Sequence, residues 1–374
     1  MSLITSEKRV FMTDFTVLKN LQPQPELVRE NIKKDPGFGQ YFTDHMAHIR
    51  YTVDDGWQGH EVRPYGPLLL DPAAAVLHYA QEIFEGLKAY RHADGSVWTF
   101  RPERNAARIN RSAERLALPQ LPEEDFINSL KQLVSLDQAW VPTPESDADE
   151  SSLYLRPFMI ATERFLGVRA SHEVDYYAIA SPAGPYFSGG IKPVSIWLSP
   201  KLKRAGEGGT GFAKCGGNYA SSLVATNEAA AKGCQQVLFT DSVENKYIDE
   251  LGGMNLMLVT KSGKLLTPAL SDSILDGVTR RSLLELAPQL GLEAEERQIS
   301  IEEWREGAAS GEIVEAFACG TAAVITPISK LVSEDFTIDH GEEAGEKTME
   351  LRRTLLGIQY GRVEDTNNWL VRLA

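Results

Sequence analysis

The stretch Gly211 to Ser222, GFAKCGGNYASS, sets one lysine, Lys214, among glycines and small residues with no second charged side chain. An amine becomes a nucleophile toward carbonyl carbon when removal from water lowers its pKa, and flanking glycines let a flat partner approach the backbone. A lysine among glycines also occurs as a purely structural residue, so the groups that accompany it decide its role.

Such an amine suits a Schiff base with pyridoxal phosphate, which needs three further groups: a partner for the ring nitrogen, a cradle for the phosphate and a donor to the phenolic oxygen. Glu250 is the candidate for the nitrogen, at a strand end beside Gly252 and Gly253 where a turn aims it inward. For the phosphate, ILDGVTRRSLLELA places Gly277, Val278 and Thr279 ahead of a helical pattern, where N–H groups and the helix dipole favour an anion. A second Gly-Thr turn stands at Gly320-Thr321. Either turn alone equally suits an ordinary helix cap, but both lie in the half of the chain that holds Lys214.

A nucleotide site is the competing idea, because Gly206 to Gly211 spells G-x-G-x-x-G. That fingerprint needs a strand before it and a helix after it. Here PKLKRA precedes the glycines and FAKCGG follows, so the segment reads as a glycine loop. No Gly-Lys-Ser/Thr ends the run, which excludes a P-loop.

The elements that must position these residues belong to a long chain. Its 374 residues predict two domains, and 43% hydrophobic with 24% charged residues is the composition of a soluble globular protein. No apolar run approaches the roughly 18 to 20 residues of a membrane span. The N-terminal MSLITSEKRVFMTDF lacks a signal-peptide core, so a cytoplasmic location is expected. A net charge of -14 argues against nucleic-acid or anionic-membrane partners. Cys215, Cys234 and Cys319 offer neither a disulfide framework nor a metal pair, and the seven histidines show no ligand spacing, so no metal is expected.

PTPESDADESS, Pro142 to Ser152, reads as a solvated loop. The Gly- and Pro-dense ASPAGPYFSGGIKP that follows VDYYAIAS marks a boundary, dividing the chain into an N-terminal α/β domain at 1–183, a linker at 184–196 and a cofactor-binding domain at 197–374. Before the linker, strands such as VWTFRP alternate with helices in RNAARINRSAERLAL and EEDFINSLKQLVSLDQAWV. After it, strands are interleaved with helices expected at Tyr219–Lys232 and Arg280–Gln289, and MNLMLVT with KLLTP forms a hairpin about Lys261-Ser262-Gly263. The fold class is mixed α+β.

In this order and spacing, GFAKCGGNYASSL, YIDELGGMNLM, DGVTR and GTAA resemble the class IV pyridoxal-phosphate aminotransferases, and within them the branched-chain amino acid aminotransferases. HYAQEIFEGLKAYR, FRPERNAARINRSAERL, SLYLRP and GPYFSGG extend the likeness over most of the chain from Tyr41 to Leu331. The resemblance implies a smaller N-terminal α/β domain, a larger C-terminal domain with a mainly antiparallel pseudo-barrel sheet, and pyridoxal 5'-phosphate at their interface.

It also implies residue roles. Lys214 matches the lysine that carries the cofactor as an internal aldimine and shuttles the substrate proton. Tyr219 matches the donor to the phenolic oxygen and Glu250 the pyridine-nitrogen partner, while Arg108, Val278, Thr279 and Thr321 match phosphate contacts. Phe84, Tyr154 and Tyr186 match apolar pocket walls. Gly253, Thr321 and Ala322 match donors to the substrate carboxylate, and Tyr79 and Arg156 match polar groups near that carboxylate or the glutamate side chain. Leu166 and Val168 match a loop that closes the partner subunit's pocket, implying a homodimer.

The implied activity is reversible amino transfer between L-leucine, L-isoleucine or L-valine and 2-oxoglutarate. A D-amino acid aminotransferase or an aminodeoxychorismate lyase shares the lysine and the glutamate, but LYLRP and the long N-terminal extension fit the branched-chain enzymes better. A cofactor-free binding protein on the same scaffold is the alternative from another class. Some family members carry Cys-x-x-Cys after the Gly-Thr turn; Ala323 and Thr326 stand there in this chain, so no thiol switch is expected.

Overall fold

The computed structural model describes residues 14–185 and 191–374. Among these residues, two nine-stranded sheets organise the chain. The first runs Thr16–Val17, Gly56–Pro64, His45–Thr52, Glu173–Ala183, Ser152–Ala161, Leu87–Arg91, Val97–Phe100 and Leu370–Arg372, with Glu82–Phe84 paired to Ser152–Ala161. All its pairings are antiparallel except that of Thr16–Val17 with Gly56–Pro64.

The second sheet is mixed. It runs Ile248–Leu251, Gln236–Thr240, Val194–Leu198, Val324–Val332, Ile313–Gly320, Asn255–Thr260, Lys264–Pro268 and Glu293–Arg297, with Thr337–Asp339 on Val324–Val332. Parallel pairing occurs about Val194–Leu198 and at Glu293–Arg297; the other pairs are antiparallel. The expected hairpin is present, with Leu258 opposite Leu266 and Gly263 at φ +88° in its turn, a value that favours glycine.

Side-chain alternation along strands decides what reaches the site. Tyr154, Arg156 and Phe158 share one face of Ser152–Ala161, while Leu153 and Leu155 go into the core on the other. Opposite them, Phe84 pairs with Phe158 and Lys88 with Tyr154. Helix Pro102–Arg115 starts with proline at its first turn, and its buried residues Ala106, Ile109 and Ala113 recur at helical spacing. Helix Glu123–Leu136 has three acids in its first turn, favourable to its dipole, and buries Phe126, Leu130, Leu133 and Val134 in the same core.

Some expectations need correction. The single helix expected at Tyr219–Lys232 is two, Gly216–Ala220 and Leu223–Ala231. The hydroxyls of Ser221 and Ser222 donate to the carbonyls of Asn218 and Tyr219 and compete with the helical ladder at the break. The helix expected at Arg280–Gln289 begins earlier, at Val278, runs to Leu286, and tightens into a 3-10 turn at Ala287–Leu290, where Pro288 has no N–H to give. The acidic loop is not solvated throughout, because Glu150 turns inward to pair with Arg352.

The glycine run lies in a loop, with no strand leading into it. Gly211 packs against the backbone of Asp272 and Ser273 with no room for a side chain. Among the described residues no helix is long and apolar enough to cross a membrane.

Phe126 is fully buried between its helix and the first sheet. Phe126→Ala should lower stability by about 3–5 kcal/mol, read as a shift of the denaturant midpoint with little change in slope.

Candidate active site

Lys214 is held by the other half of the chain. Its N–H donates to Ser112 Oγ at 2.9 Å, and its carbonyl accepts from the N–H of Phe84 at 2.9 Å. Two residues on, the N–H of Gly216 donates to Glu82. With its backbone fixed, the lysine places Nζ 2.6 Å from Tyr219 Oη, and 4.9 Å and 5.1 Å from the ring centres of Phe84 and Tyr219. The amine therefore sits beside two aromatic faces.

Glu250 lies in strand Ile248–Leu251 and is almost fully buried. It accepts the N–H of Leu275 at 2.9 Å and Asn255 Nδ2 at 3.3 Å, and pairs with Arg204. Burial pushes its carboxyl up to about 7, against the pull of Arg204, the Leu275 N–H and Lys214. This carboxyl is ready to take or share a proton near neutral pH.

Arg108 projects from helix Pro102–Arg115 and is buried. Its Nε and Nη2 donate to the two oxygens of Glu85 at 2.8 and 2.7 Å, and its Nη1 to the carbonyl of Asp276 at 3.0 Å. Burial acts to raise the Glu85 carboxyl, but the Arg108 guanidinium outweighs it and holds the group below the ordinary carboxylate value. Beside Arg108, helix Val278–Leu286 begins with no side-chain cap among the described residues, which leaves its first-turn N–H groups able to meet an anion.

These groups share one cavity of about 310 Å³, lined by Lys214, Tyr219, Glu250, Arg108, Val278, Thr279, Thr321, Ala322, Gly253, Phe84, Tyr154 and Arg156. The structure thus brings together all of those sequence-derived candidates. Arg156 Nη2 donates to Tyr154 Oη at 3.0 Å, and its guanidinium lies 4.8 Å from the centre of the Phe84 ring. The pocket therefore sets a cation against an aromatic wall.

Tyr79, Leu166 and Val168 are not in the cavity. They are exposed, and Tyr79 Oη donates to the carbonyl of Leu166. Tyr186 lies outside the described residues.

Sequence reasoning missed several participants. Glu85 holds Arg108, Arg204 and Asn255 hold Glu250, and Phe38 packs edge-on against Tyr154 at 4.9 Å. The single acid inside the apolar IFEGL could have pointed to Glu85, which is fully buried. Nothing local marked Phe38.

The donor set fits pyridoxal phosphate. An amine, a phenol, a buried carboxylate, a buried guanidinium and an uncapped helix start meet in one cavity. At Gly86 and Gly277 a side chain would collide with Tyr154 and Asn255, so glycine keeps that space open.

Comparison with known proteins agrees. The amino-transferase class IV model matches residues 82–331, and the chain belongs to that family. It is 58% identical over 365 residues to a branched-chain-amino-acid aminotransferase of Mycolicibacterium smegmatis, covering 96% of this chain and 98% of that protein. A branched-chain-amino-acid aminotransferase of Mycobacterium tuberculosis is 55% identical over 364 residues, covering 96% of this chain and 98% of that protein. Among solved structures, the Escherichia coli branched-chain amino acid aminotransferase superposes with TM-score 0.73 at 26% identity, covering 88% of this chain and 99% of that one.

The raised Glu250 carboxyl has a sign that can be checked. The folded chain binds this proton more tightly than the unfolded chain does. The resulting stability is full below the ordinary value of 4.5 and is lost as pH rises through about 7. In cofactor-free protein, Glu250→Gln should therefore gain melting temperature relative to the parent between about pH 5 and about pH 8. A pH-independent difference would contradict the assignment.

Proposed function

We propose that this protein is a branched-chain-amino-acid aminotransferase that moves the amino group of L-leucine, L-isoleucine or L-valine to 2-oxoglutarate, with pyridoxal 5'-phosphate as its resident cofactor. The observation that carries this is one cavity that joins Lys214, Tyr219 and Glu250 to an aromatic wall bearing the Arg156 cation. When bound, the cofactor supplies an electron-withdrawing ring and an aldehyde through which the amino group is exchanged.

Lys214 Nζ would hold that aldehyde carbon covalently and, as a free amine, would take the proton from the substrate Cα and return it. Tyr219 Oη, 2.6 Å from Nζ, orients that amine and donates to the phenolic oxygen. Glu250 keeps a proton at the ring nitrogen. Arg108 and the N–H groups of Val278 and Thr279 hold the phosphate, joined by Thr321. Phe84 and Tyr219, whose rings lie 5.0 Å apart, flank the amine and narrow its access to water.

Two kinds of substrate side chain must share one pocket. Phe84 and Tyr154 accept the branched aliphatic group, and Arg156 reaches the acidic side chain of glutamate. Gly253, Thr321 and Ala322 turn backbone donors toward the α-carboxylate. The relatives named above favour this reading over a D-amino acid aminotransferase or an aminodeoxychorismate lyase.

Tyr79, Leu166 and Val168 complete the pocket of a second copy in a homodimer, a reading their exposure in the single chain supports. The two sheets are read as two lobes divided about 184–196, with the strand Leu370–Arg372 crossing back to the first. A cytoplasmic location is the reading that the acidic, soluble-type composition supports.

Purified protein should absorb above about 400 nm and, after borohydride, carry the cofactor mass on Lys214; colourless protein that takes up no cofactor would sink the proposal. L-Leucine should be turned over with 2-oxoglutarate and D-alanine should not. Arg156→Met should raise the KM for 2-oxoglutarate roughly tenfold, with a smaller effect on leucine, in two-substrate kinetics. For the dimer, a chain carrying Lys214→Ala and a chain lacking residues 166–168 should each be inactive alone and regain activity when refolded together. No recovery on mixing would remove the shared pocket.

A further inference from the structure

The turn after Gly320 carries unusual backbone strain. Val324 sits at φ +60°, a left-handed conformation that β-branched residues avoid. Strain of this kind persists only where the surroundings over-determine it. Here two cations take three carbonyls of the turn. Lys88 Nζ donates to the carbonyl of Ala322 at 3.0 Å, and Arg352 Nη1 donates to those of Ala323 and Ile325 at 3.0 and 2.7 Å. Arg352 reaches the turn from helix Glu346–Gln359, its side chain 2% exposed, and its Nη2 meets both oxygens of Glu150. Thr321 and Ala322, on the other side of the same turn, line the cavity.

We propose that Arg352, anchored by Glu150, is a positioning residue for substrate: it holds the Thr321–Val324 turn so that its N–H groups face the substrate carboxylate. This rests on the reading of that turn as the carboxylate site. A carbonyl fixed by a hydrogen bond fixes the rotation of its peptide plane, and hence the direction of the N–H opposite. Arg352 pins the planes that carry the Val324 and Thr326 N–H groups, and Lys88 the plane that carries the Ala323 N–H, so the backbone directly behind Thr321 and Ala322 is held and those two residues keep their place at the cavity. A planar guanidinium donates from Nη1 to both carbonyls and from Nη2 to both carboxylate oxygens, four bonds in a fixed fork, whereas an ammonium has three N–H groups on a single atom. Glu150 sets the guanidinium's place and balances its charge in a buried position, where an unpaired charge is strongly disfavoured.

The test uses the holoenzyme and 4-methylpentanoate, which has the carbon frame of leucine and its carboxylate but no amine, titrated by the change in cofactor absorption. Arg352→Met should weaken its binding at least tenfold, Arg352→Lys roughly fivefold and Glu150→Gln roughly threefold, with the KM for leucine rising in step and kcat falling less. Cofactor affinity, held by Lys214, Arg108 and helix Val278–Leu286 with Thr321 as one contact among several, should change no more than about threefold. If Arg352→Met does not fold, the lysine and glutamine variants decide. Binding of 4-methylpentanoate within twofold of the parent in the folded variants overturns the proposal, as does an equal loss of cofactor affinity. Failure of the unsubstituted holoenzyme to turn over leucine would instead overturn the functional reading, so the two failures are distinct.

Discussion

Everything in the site depends on the grip that the first half of the chain has on the Lys214 loop. A lysine has four rotatable bonds, and its amine is useful only if its backbone is fixed. Ser112 and Phe84 supply that fixity to Lys214 itself, and Glu82 to the N–H of Gly216. Two of the three come from strand Glu82–Phe84, which also presents the Phe84 ring to the amine. The reactive group thus belongs to one half of the sequence and its orientation to the other.

Buried charge is managed by pairing on both sides of the cavity. Arg108 is balanced by Glu85, and Glu250 by Arg204. Taking such charges out of water is costly unless the geometry is good, and here each carboxylate also accepts from a neutral amide, Asn105 for Glu85 and Asn255 for Glu250. The outcomes differ. Glu85 is held as an anion, whereas Glu250 keeps a carboxyl that titrates near neutrality. One arginine is thereby locked in place beside the helix start, while the facing carboxylate stays able to exchange a proton.

Much of this was legible in the sequence because the catalytic groups sit in short segments whose glycines and turn residues have local causes. Lys214, Glu250 and Thr279 each stand beside a turn that residue types announce. The hairpin at Gly263 was legible for the same reason. What stayed hidden depends on contacts between distant segments. Arg204 was only one of three cations in PKLKRA until the fold laid it on Glu250, and Glu150 looked like part of an acidic surface loop until Arg352 drew it inward. The helix break at Ser221-Ser222 was hidden differently, since alanine-rich periodicity outweighed two hydroxyls that turn back on their own backbone.

The last strand, Leu370–Arg372, lies against Val97–Phe100 at the rim of the first sheet, while the helix that precedes it, Glu346–Gln359, packs over the second. A strand rim left bare offers its N–H and C=O groups to any other chain. The tail therefore serves as a guard rail: it occupies a rim made roughly 270 positions earlier in the sequence, and it binds the two sheets into one cooperative unit. Fraying at this end would expose a sticky edge in the half of the molecule farthest from it along the chain.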